Sequence, residues 1–307
     1  MGETPIASSG YNTEHTSEGG FTPFLSVVVP VYNDWRGLVR CIDSICCQFN
    51  PPSFEVIAVD DGSDTEPPQP TDASFVTILR QPHLGVSHAR NCGATAAAGT
   101  LLLFIDSDCV LEPNCLAELE RVFRKRPHEI GYQLKIAGDL STLVGRVEGT
   151  TLHAEQSALL RPDGHIRWLN TSGFAMARSL FGRSGYQFDL SAKRAQDTFL
   201  LSEFILRDQL PFFAADCAVH HCVGLGLWKY LCKGFRTTAA TKQTYSRIES
   251  RGVRVHATAS QRFRAFKSLV GLGALQRFGV VAVAVALVRY ALTRFGFAVA
   301  GYTRSPS

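Results

Sequence analysis

Three apolar runs of β-rich composition each end in polar or acidic residues, and segments with helical spacing separate them. Residues 25–31 end in Tyr32-Asn33, residues 54–59 end in Asp60-Asp61-Gly62-Ser63, and residues 101–105 end in Asp106-Ser107-Asp108. Runs of this length and composition read as buried strands, with residues 75–79 as a further one. Between them, residues 34–48 place Leu38, Ile42 and Ile45 at helical spacing behind Asp34, a suitable N-cap. Residues 87–98 form an Ala-rich helical segment with Ser87 as its expected cap, and residues 112–126 put Leu116, Leu119 and Phe123 on one side. Strands alternating with helices require right-handed crossovers and a mainly parallel sheet. Ligands of such sheets bind beyond the carboxyl ends of the strands. The three polar strand ends therefore share one rim, where a sheet serving only as scaffold has no need of acids.

Two carboxylates spaced i, i+2 at a strand exit, as in Asp106-Ser107-Asp108, can hold a hard divalent cation between protein and a diphosphate. The same tripeptide also serves in turns, where Asp is favoured. Asp60-Asp61-Gly62-Ser63 reads either as a capping turn or as a carboxylate offered to a base or ribose. A dinucleotide-type dehydrogenase is excluded, since no Gly-x-Gly-x-x-Gly follows residues 25–31.

Four segments occur together: Ser26-Val27-Val28-Val29-Pro30-Val31-Tyr32-Asn33, Val59-Asp60-Asp61-Gly62-Ser63-Asp64, Gly85-Val86-Ser87-His88-Ala89-Arg90-Asn91 and Phe104-Ile105-Asp106-Ser107-Asp108. In order and spacing they resemble the signatures of family 2 glycosyltransferases, from about residue 24 to 223 and most strongly from 24 to 122. The resemblance implies an α/β GT-A fold, the nucleotide-diphospho-sugar transferase architecture, with a mainly parallel central sheet flanked by helices and here a C-terminal helical tail. It implies an inverting transfer of a sugar from a nucleotide-diphosphate donor, a UDP-sugar first, to an acceptor hydroxyl of a glycan or lipid-linked acceptor. The implied setting is cell-envelope or extracellular polysaccharide or glycolipid synthesis, with no nucleic acid as partner. By position, Pro30, Tyr32 and Asp61 surround the nucleotide base, and Arg90 lies near the donor, against phosphate charge or as a structural ion pair under the rim. Asp106 faces ribose and metal, and Asp108 is a direct ligand of Mn²⁺ or Mg²⁺.

Further along, Asn170-Thr171-Ser172-Gly173-Phe174-Ala175-Met176-Ala177-Arg178 resembles the family's acceptor-side segment, with Gly173 inside it. Gln196-Asp197 stands where the family carries Glu-Asp. The resemblance makes Asp197 the catalytic base and leaves Gln196 as a departure on the acceptor side. Read without the family, Asp197 is an N-cap for a helix over 198–206. His221, the second of a pair after a strand over 212–219, takes the place of a metal-binding histidine, whereas an unaided reading makes the pair structural. Cys217 and Cys222 lack a second pair, so zinc is not expected. A nucleotidyltransferase would need a Gly-rich, basic phosphate loop after the first strand, and Asn33-Asp34-Trp35-Arg36-Gly37 does not resemble one. A catalytically impaired nucleotide-sugar binder or scaffold is the alternative that Gln196 leaves open.

The chain divides into a leader over 1–22, a catalytic domain over 23–227 with a donor half (23–125) and an acceptor half (126–227), and a tail over 228–307. Charge follows the division: the tail holds 14 Lys/Arg against a single acid, Glu249, within a chain of net charge +4. So basic a segment suits an anionic surface such as a membrane. The tail is also apolar from residue 268 to 302, yet Arg277, Arg289 and Arg294 interrupt it and leave an uncharged run of 11 residues. A spanning helix needs about 20. Re-entrant or peripheral attachment is expected, or else helices packed on the catalytic domain. Nine cysteines without a pairing pattern, and no signal-peptide features in residues 1–20, point to a cytoplasmic protein, peripheral on the inner membrane face.

Overall fold

A computed structural model describes residues 22–67, 74–182, 185–254, 257–271, 275 and 277–302. The leader expected over 1–22 lies almost entirely outside these residues, as does part of the Pro-rich stretch that follows Glu66. The first half folds as β1 (Leu25–Val31), α1 (Trp35–Cys46), β2 (Phe54–Asp60), β3 (Val76–Arg80), α2 (Val86–Ala96), β4 (Leu101–Phe104), β5 (Cys109–Leu111) and α3 (Cys115–Lys125). The second half adds β6 (Tyr132–Gly138), α4 (Leu143–Leu159), β7 (Phe174–Ala177), α5 (Gln196–Ile205) and β8 (Phe212–His221). The tail forms α6 (Leu227–Arg236), α7 (Thr238–Glu249), α8 (Ala259–Val270) and α9 (Val280–Tyr302).

The strands form one sheet in the order β3-β2-β1-β4-β7-β6-β8-β5. The first four lie parallel, with α1 crossing from β1 to β2 and α2 from β3 to β4. The second half is mixed: β7 runs antiparallel to β4 and β6, β8 runs parallel to β6, and β5 runs antiparallel to β8. Both faces of the sheet are covered, which explains why β1 and β4 read as unbroken apolar runs. Val27, Val29, Leu101 and Leu103 pack with Leu38 and Ile45 of α1 and Leu116 and Leu119 of α3. Val28, Leu102 and Phe104 point the other way, to Ala89 of α2 and Leu200 and Phe204 of α5. Each of these fully buried Val, Leu, Ile and Phe side chains contributes about 1.5–3 kcal/mol of transfer free energy.

Asp34 caps α1 as expected, its side chain accepting from the Gly37 N–H. Ser87 does not cap α2. The helix begins at Val86 behind Gly85, which lacks a side-chain cap. Its loop amides are instead satisfied from a distance, because Asp61 accepts from the Leu84 and Gly85 N–H groups.

The tail is not a separate body. Phe278, Ala282, Val283 and Ala286 pack with Tyr230 of α6 against Val144 and Val147 of α4. The apolar run interrupted by Arg289 and Arg294 folds as one continuous helix, and Val280–Val299 has a mean hydropathy of 1.7, long and apolar enough to cross a membrane. Arg289 does not face outward: it bonds the Tyr230 hydroxyl and lies 4.1 Å from the centre of that ring. Only 22% of the Val280–Val299 segment is buried, so α9 shows the protein one narrow side.

Candidate active site

An open cavity of about 1750 Å³ lies beyond the carboxyl ends of β1 and β4 and runs back between α4 and the tail helices. Pro30, Tyr32, Arg90, Asp106, Asp108 and His221 line its sheet end. Gln196 and Asp197, at the start of α5, line the same cavity. Eight of the ten residues singled out from the sequence thus meet in one cleft. Asp61 and Gly173 do not line it.

Asp106 follows β4 and is held on both oxygens. The Arg90 guanidinium donates to Oδ1 at 2.6 Å, and the Ser172 hydroxyl donates to Oδ2 at 2.8 Å. Desolvation in the cleft acts to raise the Asp106 pKa, but the Arg90 charge and the two hydrogen bonds outweigh it and hold the carboxyl below its usual range. Arg90 is itself buried, and its guanidinium lies 5.4 Å from the Phe188 ring centre. Its Nε has no hydrogen-bond partner among the described residues. Arg90 is therefore an ion-pair partner of Asp106 that also faces the cavity, and the two readings of it from the sequence are compatible.

Asp108 sits two residues further on, opposite the end of β8. Its Oδ2 lies 3.1 Å from His221 Nε2, and His221 Nδ1 lies 2.9 Å from Glu148 Oε2. Ligand atoms of Asp108, Cys109 and His221 fall within 4.8 Å of one another. A carboxylate and an imidazole suit Mn²⁺, and the carboxylate with phosphate and water suits Mg²⁺. Cys109 offers a soft sulfur, which matches neither of these oxygen- and nitrogen-preferring ions. The donor set fits a hard divalent cation. Asp106, with both oxygens engaged, stands beside this group rather than in it.

Asp197 lies in the first turn of α5 and does not cap it, since the N-cap is Ala195 in the left-handed region at φ 56°. Its Oδ1 accepts from the Thr198 N–H at 2.6 Å and the Thr198 hydroxyl at 3.3 Å. Desolvation raises the Asp197 pKa. The Thr198 bonds and the Arg90 charge oppose the rise, and the Asp106 charge adds to it. A carboxylate of raised basicity in a cleft is the electrostatic profile of a general base.

The acid pair at the end of β2 divides its work. Asp60 is buried and accepts from the Ser63 N–H and hydroxyl, closing the turn. Asp61 accepts from Gln81 Nε2 and the loop amides, and its Oδ2 lies 3.0 Å from His83 Nδ1. His83 in turn stacks on Tyr32, ring centres 4.1 Å apart at 27°. This pair of half-exposed rings at the cleft mouth offers a flat platform, with Asp61 as its anchor. Gly173 serves packing: a Cβ there would meet Ile136 Cδ1 at 2.7 Å. Sequence reasoning passed over His83, Ser172 and Glu148. Ser172 lay inside a recognised segment, whereas Glu148 lay in a stretch without clear periodicity.

The family model described as "Glycosyl transferase family 2" matches residues 26–181. Glycosyltransferase GlyG of Streptococcus pneumoniae serotype 4 is 31% identical over 112 residues, covering 34% of this chain and 37% of that protein. EpsJ of Bacillus subtilis, a glycosyltransferase described as uncharacterized, is 36% identical over 195 residues, covering 59% of this chain and 56% of its own length. The chain thus spans about a third to a half of the length of these two relatives. Among solved structures, the mannosyltransferase PcManGT from Pyrobaculum calidifontis aligns with a TM-score of 0.55 at 17% identity, over 92% of this chain and 81% of that one. GalNAc-T7 aligns with a TM-score of 0.53 at 15% identity, over 85% and 59%. At these identities the structural likeness establishes the fold, which is that of the GT-A glycosyltransferases. The family match covers just over half of the 307 residues and contains the β1, β2 and β4 strand ends that build the cleft, and the chain belongs to glycosyl transferase family 2.

Proposed function

We propose that the protein is an inverting, divalent-cation-dependent glycosyltransferase that uses a nucleotide-diphosphate sugar. The observation that carries this reading is the meeting of Asp106, Asp108 and His221 with Asp197 across one cleft. Two solved structures with TM-scores above 0.5 were determined with GDP-Man and Mn²⁺ and with UDP, GalNAc and Mn²⁺, which supports a nucleotide donor and a cation here. In this reading the nucleobase stacks at the Tyr32–His83 pair beside Pro30, and Asp61 acts by holding His83 and the loop before α2. Asp106 is the ribose-side carboxylate, and Arg90 supplies positive charge behind the diphosphate. Asp108 and His221 are the cation's protein ligands, with Asp106 adjacent. When bound there, Mn²⁺ or Mg²⁺ supplies Lewis-acid stabilisation of the charge that develops on the leaving diphosphate.

Asp197 takes the proton of the acceptor hydroxyl as its oxygen bonds to the anomeric carbon. The bond from that carbon to the diphosphate oxygen breaks, and its electron pair leaves with the nucleoside diphosphate. Attack from the face opposite the leaving group inverts the anomeric configuration. The acceptor approaches along the rear of the cavity, past Trp168, Asn170, Arg194 and Gln196. Such help from a base is worth about 10²–10⁴-fold.

The rear of the cavity is walled by α8 and α9, which expose Phe263, Phe266, Val280, Val281 and Phe295. Arg262, Arg264 and Lys267 alternate with the phenylalanines on α8. Apolar rings among basic groups suit the interface of an anionic bilayer. We place the protein peripherally on the cytoplasmic membrane face, in keeping with its free thiols, where a lipid-linked acceptor would reach the cleft; the synthesis of envelope or extracellular glycans is the matching setting. A thermal-shift panel of nucleotide sugars with and without Mn²⁺ tests the core of the proposal. A shift for one uridine or guanosine donor that requires Mn²⁺ supports it, and absence of any donor response would overturn it. Donor binding without release of nucleoside diphosphate would favour the binder that Gln196 leaves open.

A further inference from the structure

Glu148 belongs to no motif, yet it closes a line of three groups, Asp108, His221 and Glu148. Its Oε2 lies 2.9 Å from Nδ1 of His221, while Nε2 of the same ring faces Asp108 at 3.1 Å. The Glu148 side chain is 13% exposed and that of His221 is 19% exposed, so water competes weakly for the contact. A carboxylate on one ring nitrogen keeps the proton there when a cation takes the other nitrogen.

The backbone explains how a helix residue reaches the end of β8. Gly138 ends β6 and pairs in register with His221. A Cβ at Gly138 would fall 2.0 Å from the Gly145 carbonyl oxygen and 2.6 Å from the Gly149 nitrogen, so α4 lies directly on the strand end. Glu148, between those two glycines, is thereby held over the neighbouring strand. The opposite side of α4 is braced by the tail: Val144 and Val147 pack on Tyr230, Ala282 and Ala286.

We propose that Glu148 is a positioning residue: it fixes the ring plane and tautomer of His221 so that Nε2 is presented, with Asp108, to the divalent cation. The proposal rests on the reading of Asp108 and His221 as cation ligands. Loss of such an outer carboxylate weakens metal affinity by about 10–100-fold in comparable sites.

The test is Mn²⁺ binding to the full chain without donor, read from the free-ion electron paramagnetic resonance signal. Wild type, Glu148→Ala, Glu148→Gln, His221→Ala and the Glu148→Ala/His221→Ala double variant are compared. Glu148→Ala is expected to weaken binding by about 10-fold or more. Glu148→Gln, which keeps the shape and an acceptor atom but loses the charge, should fall between, and it carries the test if the alanine variant fails to fold. In the His221→Ala background, removing Glu148 should add nothing, an outcome that a general loss of structure would not give. Unchanged Mn²⁺ affinity in both Glu148 variants, with His221→Ala impaired, overturns the positioning role alone, as does an equal loss in the His221→Ala background. If His221→Ala itself binds Mn²⁺ normally, the cation site is wrongly assigned and the positioning role falls with it.

Discussion

The guanidinium of Arg90 donates to Oδ1 of Asp106 at 2.6 Å, and this pair forms the floor of the cleft just beyond the last residue of β4. It joins the helix that follows the Asp61 loop to the strand end that carries the acidic motif.

Breaking that pair should be costly. Arg90→Ala leaves Asp106 charged with only Ser172 to bond it, and truncating one partner of a buried pair costs roughly 3–5 kcal/mol. Asp106 keeps 29% of its side chain exposed, so the lower end of that range is expected. Urea unfolding should show a lower midpoint with an unchanged slope. Arg90→Lys keeps the charge but loses the planar fork and should recover only part of the loss.

Asp197→Asn should separate stability from activity. The folded-state pKa of Asp197 is raised, so its contribution to stability is fully present below the unfolded value of about 3.9 and is lost as pH rises through the folded value. At neutral pH the charged carboxylate is thus a burden on the fold, which asparagine removes while still accepting the Thr198 bonds. The variant should melt higher than wild type at pH 7–8, and the gap should close as pH falls toward about 4. Transfer should drop by about 10²–10⁴-fold with donor binding retained. Near-normal turnover in Asp197→Asn would show that the base lies elsewhere.

Gly62 allows a further check on the Asp61 loop. It has φ 78°, and a Cβ there would meet the His83 nitrogen at 2.8 Å. Gly62→Ala should cost about 1–2 kcal/mol from the left-handed backbone alone and should displace His83 from Tyr32. Donor affinity should fall together with thermal stability; a fall in stability with unchanged donor affinity would remove the ring pair from the donor site.

The tail prediction is best tested without truncation, because removing α6 to α9 would strip the cover from Val144 and Val147. Phe263→Ser with Phe295→Ser changes two exposed rings and should leave the melting temperature close to wild type. Flotation with vesicles rich in anionic lipid should fall, and wild-type flotation should weaken with salt. Flotation unaffected by both changes would mean that the exposed face of α8 and α9 does not meet the bilayer.

The donor half was legible because its signals are local. Unbroken apolar runs such as residues 101–104 can only be covered on both faces, and Asp34 before an amphipathic segment announces α1. Parallel pairing then forces Tyr32, Asp61 and Asp106 to one rim. The acceptor half was not legible, since α4 carries Gly145, Gly149, Thr150 and Thr151, poor helix formers, and the two glycines are there because α4 lies directly on the end of β6 at Gly138. Strands β5, β6 and β7 are short or mixed in direction, so no crossover rule placed them. Roles that depend on contact across the chain escaped for the same reason. Asp61 holds the loop before α2 at a separation of 24 residues, and Glu148 reaches His221 across 73. Arg289 read as an interruption of an apolar segment, whereas in the fold it is paired with Tyr230.

On the proposed reading a cation held at Asp108 binds the donor diphosphate, and calorimetric titration of the preferred nucleotide sugar into wild type and Asp108→Ala addresses it directly. With Mn²⁺ present, wild type should bind and Asp108→Ala should not, and a chelator should reduce wild type to the level of the variant. Equal donor affinity in both proteins, unmoved by the chelator, would contradict the account.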